Sequence, residues 1–172
     1  MKIFVTGATG AIGRRVVPGL LRLGHHVTAV GRSPEGRRTL EATGAMVVSV
    51  DLFDAAGVKR VLEGHDTIIN LATHMPSSAG RMFLPGAWRE NDRIRREGSA
   101  NLVDAALATG ATRFVQESFA PIYTPGGDRW LDESSPQQPA GYNRSLLDAE
   151  RSAERFSRGG GADVVLRFAA FY

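Results

Sequence analysis

The sequence contains no cysteine and only two lysines, Lys2 and Lys59. The absence of cysteine excludes a disulfide-stabilised scaffold. No apolar run approaches the roughly 18 residues that a membrane-spanning helix requires, and nothing at the N-terminus has the pattern of a signal peptide. The histidines and carboxylates also lack the spacing of a metal site. These absences predict a cytoplasmic protein that binds neither a membrane nor a metal.

The composition is that of an ordinary globular domain. Of the 172 residues, 42% are hydrophobic and 23% are charged, and the formal net charge is +3. This length predicts a single domain. The one local basic cluster, Arg93, Arg95 and Arg96, is interspersed with acidic residues in a helical pattern. That pattern predicts a solvent-exposed helix face rather than a nucleic-acid surface.

Apolar runs and helical periodicities alternate along the whole chain. The runs predict six strands, at residues 2–6, 26–30, 46–50, 67–71, 113–117 and 163–168. The periodic segments predict helices over residues 11–23, 35–43, 54–62, 90–109 and 142–156. Nearly continuous apolar strands are typical of a parallel sheet that is covered on both faces. The sequence therefore predicts an α/β fold, a doubly wound parallel Rossmann sheet with helices on both faces, that spans residues 1–172.

A glycine-rich turn, TGATGAIG at residues 6–13, joins the first predicted strand to the first predicted helix. Gly7, Gly10 and Gly13 have the spacing that gives a tight bend, close approach of the backbone to a pyrophosphate, and close packing of the helix on the strand. The helix that follows directs its free N–H groups at the phosphates. The predicted phosphate contacts therefore include Gly7, Gly10 and Gly13, together with Thr9, Ala11 and Ile12.

The ends of the next strands predict the rest of the cofactor site. Arg32 follows the second strand, where an arginine favours the 2′-phosphate of NADP and an acid favours NAD. The position of Arg32 is also that of an ordinary exposed arginine without a role in binding, and NAD stays possible. Asp51 is a candidate acceptor for the adenine amino group, with Leu52 against the ring, although Asp51 also fits a helix cap. Residues 71–73, Leu71, Ala72 and Thr73, end the fourth strand, where the cofactor crosses the sheet edge.

These motifs together resemble a known family. The glycine turn, followed by Asp51-Leu52, Asn70-Leu71-Ala72 and Ser118, resembles the extended short-chain dehydrogenases/reductases, the NAD-dependent epimerase/dehydratases. The resemblance covers essentially the whole chain. Members of that family continue into a segment that forms much of the substrate pocket, and the sequence ends at Tyr172, before that segment. The resemblance therefore implies the cofactor-binding half of a longer protein, or a shortened relative.

The resemblance also implies catalytic residues. In that family a serine after the fifth strand acts with a tyrosine and a lysine that lie four residues apart on the next helix. Ser118 and Tyr142 match the serine and the tyrosine, but Leu146 occupies the lysine position. Leucine can neither hydrogen-bond a ribose nor stabilise a phenolate. Because Tyr142 and Leu146 fall on one predicted helix, we expect their side chains to share a face, and Tyr123 is an alternative acid.

The sequence leaves three functions open. The first is an NADP-dependent oxidoreductase or epimerase-like enzyme that acts on a small carbonyl or hydroxyl compound, with sugar nucleotides among the candidates. The second is a non-catalytic module that binds or senses NAD(P), and the third is a truncated family member. The expected partner is a small-molecule substrate, selected by residues 77–89 and 119–140. The family also implies a possible homodimer, formed through the helices predicted at 90–109 and 142–156.

Overall fold

The computed structural model of the protein describes residues 1–76, 79–84 and 86–169. Part of the segment expected to select the substrate, residues 77, 78 and 85, lies outside these ranges, as do residues 170–172 at the end of the sequence. All six predicted strands are present, and they pair in parallel in the order β3-β2-β1-β4-β5-β6. The predicted doubly wound Rossmann sheet is therefore confirmed.

Strands and helices alternate along the chain as the apolar pattern predicted. The strands are β1 (Lys2–Thr6), β2 (His26–Val30), β3 (Met46–Val48), β4 (Thr67–Asn70), β5 (Arg113–Phe119) and β6 (Ala162–Phe168). The helices are α1 (Gly13–Arg22), α2 (Pro34–Glu41), α3 (Ala55–Leu62), α4 (Arg89–Arg93), α5 (Ser99–Thr109) and α6 (Ser145–Arg158). Short 3-10 turns occupy Ala79–Phe83, Ala120–Ile122 and Gly141–Asn143.

Two apolar cores lie on opposite faces of the sheet, because alternate residues of each strand point to opposite sides. On one face, Phe4, Ile68 and Phe114 pack under α3, α5 and α6. On the other face, Val5 and Ala29 pack under α1 and α2. Within the described residues, the second face is covered only over the four strands β3-β2-β1-β4.

The uncovered part of that face lies on β5 and β6. Val115 pairs with Val164, and Glu117 pairs with Leu166, so these four side chains share one face. Val164 is 49% exposed and Leu166 is 38% exposed. An apolar surface therefore adjoins the carboxyl end of the sheet, where ligands bind in folds of this type.

The predicted helix over residues 90–109 is interrupted. One π-helical turn, Ile94–Gly98, separates α4 from α5. The wider turn rotates Arg95 inward, and its exposed fraction is 3%. The prediction that Arg93, Arg95 and Arg96 share a solvated face is therefore wrong for Arg95. The other two are exposed and pair with Glu97 and Asp148, respectively.

The predicted helix over residues 142–156 begins later than expected. Tyr142 lies in the 3-10 turn Gly141–Asn143, and α6 begins at Ser145. The chain passes from a 3-10 turn into an α-helix between these two residues. Tyr142 is 47% exposed, whereas Leu146 is fully buried, at 0%. The expectation that Tyr142 begins the helix that carries Leu146 is therefore wrong. Among the described residues, no helix combines the length and the apolar character needed to cross a bilayer.

Candidate functional site: two clefts at the glycine turn

The three glycines of the turn have different surroundings. Gly7 has a φ of +62°, and a β-carbon there would overlap the Leu71 carbonyl group at the end of β4. A β-carbon on Gly13 would overlap the backbone of Gly7 and Ala8. By contrast, a β-carbon on Gly10 would approach only the Gly7 carbonyl oxygen, at 3.1 Å. Gly7 and Gly13 thus permit close packing within the protein, whereas Gly10 leaves open space for a ligand.

The N-terminus of α1 supplies the groups that hold an anion. Within the described residues, no side chain caps this helix, and its first turn contains no acidic residue. The Arg14 and Arg15 N–H groups donate to the Gly10 and Ile12 carbonyl oxygens, and the positive end of the helix dipole faces the turn. This arrangement fits the pyrophosphate of a dinucleotide.

A small cleft of about 150 Å³ lies on the β2–β3 side of the turn. Arg32, Asp51, Leu52 and Phe53 line it. The Asp51 carboxylate accepts a hydrogen bond from the Phe53 backbone N–H at 3.0 Å, so Asp51 stabilises the turn before α3. The side chain of Leu52 packs against Gly98 of the π-helical turn, which holds it at the wall of the cleft.

A large cleft of about 720 Å³ lies on the β4–β5 side of the turn. It shares Gly7, Gly10, Leu71 and Thr73 with the small cleft, so the glycine turn lies between the two. The lining of the large cleft is mainly apolar and aromatic, with few polar side chains. Apart from the turn and β4, it is formed by Met75, Met82, Trp88, Arg95, Glu117, Phe119, Tyr142, Asn143, Phe168 and Ala169.

All twelve residues that the sequence predicted for cofactor binding line one or both clefts. They come from the first turn and from the ends of β2, β3 and β4, which the parallel sheet brings to one edge. They are Gly7, Thr9, Gly10, Ala11, Ile12, Gly13, Arg32, Asp51, Leu52, Leu71, Ala72 and Thr73.

A buried chain of hydrogen bonds fixes this edge of the sheet. The Thr6 hydroxyl donates to Asn70 at 2.6 Å, and the Asn70 amide donates to Ser99 at 3.1 Å and to Gln116 at 2.9 Å. The Gln116 amide in turn donates to the Glu117 carbonyl oxygen at 2.8 Å. These bonds join the ends of β1, β4 and β5 to α5, so the floor of the large cleft is rigidly held.

The structure separates the predicted catalytic residues. Tyr142 lines the large cleft, where its ring lies 5.4 Å from that of Trp88. Ser118 points to the opposite face of β5, and its hydroxyl donates to Glu150 at 2.5 Å. The Tyr123 hydroxyl accepts a hydrogen bond from Arg167 at 2.6 Å. The pKa of the Arg167 guanidinium is raised mainly by its hydrogen bond to Glu150 and, to a smaller extent, by this bond to Tyr123. Neither Ser118 nor Tyr123 is brought into the large cleft with Tyr142.

Strand alternation places Glu117 and Phe119 in the large cleft instead of Ser118. Glu117 lies beside Arg95, with 3.8 Å between the Glu117 Oε1 and Arg95 Nη2 atoms. Burial raises the pKa of Glu117, although the Arg95 charge opposes this shift. Burial also lowers the pKa of Arg95, but an arginine so basic stays charged. The sequence analysis missed this pair, and only the period of two along β5 could have indicated Glu117.

Comparison with known proteins gives the family. The model of the NAD(P)H-binding family matches residues 7–171. A 3-diazoavenalumate denitrifying reductase from a Streptomyces species is 32% identical over 183 aligned positions, which cover 100% of this chain and 57% of the relative. The chain therefore spans little more than half the length of that relative.

Solved structures give the same fold. An Agrobacterium tumefaciens protein of the short-chain dehydrogenase/reductase superfamily, solved with bound NAD, matches with a TM-score of 0.80 at 29% identity, over 98% of this chain and 49% of that one. The UDP-glucose 4-epimerase of Thermotoga maritima matches with a TM-score of 0.83 at 23% identity, over 100% of this chain and 56% of the epimerase. The second likeness concerns the fold alone. The chain therefore belongs to the NAD(P)H-binding family, and its fold is that of the short-chain dehydrogenases/reductases.

Proposed function

We propose that this chain is an NADPH-dependent reductase that acts on a small, largely apolar carbonyl compound. The observation that carries the proposal is the large cleft, which opens directly beside the glycine turn and joins the small cleft there. A dinucleotide laid across the turn would place its adenosine in the small cleft and its nicotinamide in the large one. The substrate would then occupy the remainder of the large cleft.

The choice of NADP rests on the end of β2. Arg32 is exposed at the rim of the small cleft, and residues 30–34 contain no carboxylate. A second arginine, Arg37 of α2, lies with its side-chain stem over Gly31, within 2.9 Å of the position that a β-carbon would take. Two guanidinium groups near this strand end favour a 2′-phosphate over a free ribose hydroxyl.

The proposed substrate class rests on the lining of the large cleft. Its wall contains the large apolar and aromatic side chains of Met75, Met82, Trp88, Phe119 and Phe168. Such a surface favours a flat or aliphatic body with one polar group over a sugar nucleotide, whose hydroxyls and phosphates need many polar partners. The reductase from Streptomyces supports a reductive direction for this chain.

The proposed roles follow from position. A bound NADPH would supply a hydride to an electrophilic carbon. The N-terminus of α1 would hold the pyrophosphate, and Gly10 would allow its close approach. Trp88 and Tyr142, whose rings are in contact, would form a wall that excludes water from one side of the substrate. The uncovered apolar face of β5 and β6 would border the substrate on the other side.

A non-catalytic role as an NADP-binding module has one observation in its favour. The position that carries a lysine in the family is Leu146, which is buried inside the fold and does not line either cleft. The tyrosine–lysine pair therefore has no counterpart at this place. A catalytic role then requires another group to move the proton.

Turnover distinguishes the two functions. NADPH oxidation is followed with the 172-residue chain and a panel of apolar ketones, aromatic carbonyl compounds and UDP-sugars, while NADPH binding is measured by calorimetry. The proposal expects turnover with an apolar or aromatic carbonyl compound and none with UDP-sugars. Binding without any turnover would instead establish the non-catalytic module. Turnover confined to UDP-sugars would refute the proposed substrate class.

A further inference from the structure

The floor of the large cleft holds an incompletely paired group of buried polar atoms. Arg95 and Glu117 have side-chain exposures of 4% and 11%. Their closest atoms are 3.8 Å apart, which is too long for a hydrogen bond. Within the described chain, Arg95 Nε and Nη1, Glu117 Oε2 and Asn143 Nδ2 have no hydrogen-bond partner. All three residues line the same cleft.

Unpaired buried polar atoms are costly, so their concentration in one place requires an explanation. Elsewhere at this sheet edge, the Thr6, Asn70 and Gln116 side chains are all hydrogen-bonded. The unpaired atoms instead border the part of the cleft that a substrate would fill. The π-helical turn, a feature that is frequent at functional sites, is what brings Arg95 there. The carbonyl oxygen of a bound substrate would give a hydrogen-bond partner to one or two of these atoms.

We propose that Glu117 is the proton donor of the reduction and that Arg95 is its positioning residue. This inference rests on the proposed reductase function. Glu117 gives its proton to the carbonyl oxygen while the carbonyl carbon accepts the hydride of NADPH. A C–H bond and an O–H bond form, the π bond of the carbonyl breaks, and NADPH is oxidised to NADP⁺. Glu117 is left as a carboxylate beside the Arg95 guanidinium and recovers its proton from water.

The surroundings of Glu117 suit this task better than those of Tyr142. Burial raises the pKa of Glu117 and so shifts its equilibrium towards the protonated carboxyl group. The Arg95 charge then stabilises the carboxylate that the transfer leaves. Tyr142 has no lysine beside it within the described residues, since Lys2 begins β1 at the opposite edge of the sheet and Lys59 lies on α3.

The charged groups around Glu117 come from three elements. Arg95, on the π-helical turn, lowers its pKa, and Glu150, on α6, raises it. Glu150 is itself paired with Arg167 of β6 at 2.8 Å, which reduces its influence. Tyr142 is the other described titratable side chain in the lining of the large cleft. Removal of the Arg95 charge must therefore raise the pKa of Glu117 further.

The test compares Glu117→Gln with Glu41→Gln, a matched change at an exposed residue of α2 that lines neither cleft. With a carbonyl substrate, we expect Glu117→Gln to lower kcat by about a hundred- to ten-thousandfold, the usual contribution of a proton donor. NADPH affinity and the circular dichroism spectrum should not change. Glu41→Gln should match the wild type, whereas Tyr142→Phe, which keeps the ring of the cleft wall and removes only the hydroxyl, should lower kcat by less than Glu117→Gln does.

Two further readouts separate chemistry from structure. Because the donor must be protonated, kcat should fall as pH rises through the pKa of Glu117, and Arg95→Gln should move this fall to higher pH. Independently of activity, the infrared band of a protonated carboxyl group should persist at neutral pH in the wild type and be absent in Glu117→Gln. Absence of that band in the wild type would overturn the proposal.

The activity outcomes are also decisive. If Glu117→Gln keeps its kcat, or if Tyr142→Phe alone abolishes turnover, Glu117 is not the donor while the reductase function stands. If the pH profile of Arg95→Gln is unmoved, Arg95 does not position the acid. Failure of the wild type itself to reduce any carbonyl compound would refute the reductase function and the donor role together.

Discussion

The proposed preference for NADP over NAD depends on Arg32, and its reversal is the sharpest test of the proposed cofactor site. Arg32→Asp removes a guanidinium from the rim of the small cleft and places a carboxylate there. A charge-assisted hydrogen bond to a phosphate contributes about 1.5 to 3 kcal/mol. Because Arg32 is exposed, solvent screening favours the lower end of that range. The wild type should therefore bind NADP about tenfold more tightly than NAD.

In Arg32→Asp the order should reverse, because the new carboxylate repels the 2′-phosphate and can accept from the ribose hydroxyls. Calorimetric titration of both dinucleotides measures the ratio directly, and the wild-type ratio should shrink as salt is added. Arg113→Asp is the matched control. Arg113 begins β5, at the edge of the sheet opposite the glycine turn, and carries the same change in charge. Equal affinities in the wild type, or a ratio that Arg32→Asp leaves unaltered, would refute the assignment.

Three further predictions follow from the described contacts. Gly10→Val should leave the protein folded by circular dichroism but abolish dinucleotide binding by calorimetry, since only the Gly7 carbonyl oxygen is near and the remaining space is left for the pyrophosphate; retained affinity would place the cofactor elsewhere. Leu146→Lys should lower the free energy of unfolding in urea by several kcal/mol, because it buries an ammonium group. Leu146→Met, the control, should lower it by less than about 1.5 kcal/mol. A stable lysine variant with faster turnover would mean that position 146 reaches the cofactor. Burial lowers the pKa of His65 below its ordinary 6.5, so the folded state binds a proton there less readily than the unfolded state. The free energy of unfolding should therefore fall as pH drops below about 6.5. His65→Gln should flatten this dependence on pH, and an unchanged dependence would exclude His65 as its source.

The sequence by itself determined the fold and the edge of the sheet at which the predicted cofactor residues meet. The period of each apolar run distinguished strand from helix, and parallel connection through helices then brings every strand end to one edge. The residues after β1, β2, β3 and β4 consequently meet at the glycine turn, whatever the details of packing. For this reason all twelve predicted cofactor residues line the two clefts.

Only the tertiary structure decided which side chains meet in the large cleft. Ser118 and Glu117 are neighbours in sequence, but β5 turns one towards α6 and the other towards the cleft. Likewise, a single π-helical turn directs Arg95 inward, and a 3-10 turn separates Tyr142 from the helix that buries Leu146. A shift of one residue in a strand, or of a fraction of a turn in a helix, reverses the face on which a side chain lies. Packing against neighbouring elements fixes that shift, and the local pattern of the sequence does not contain it.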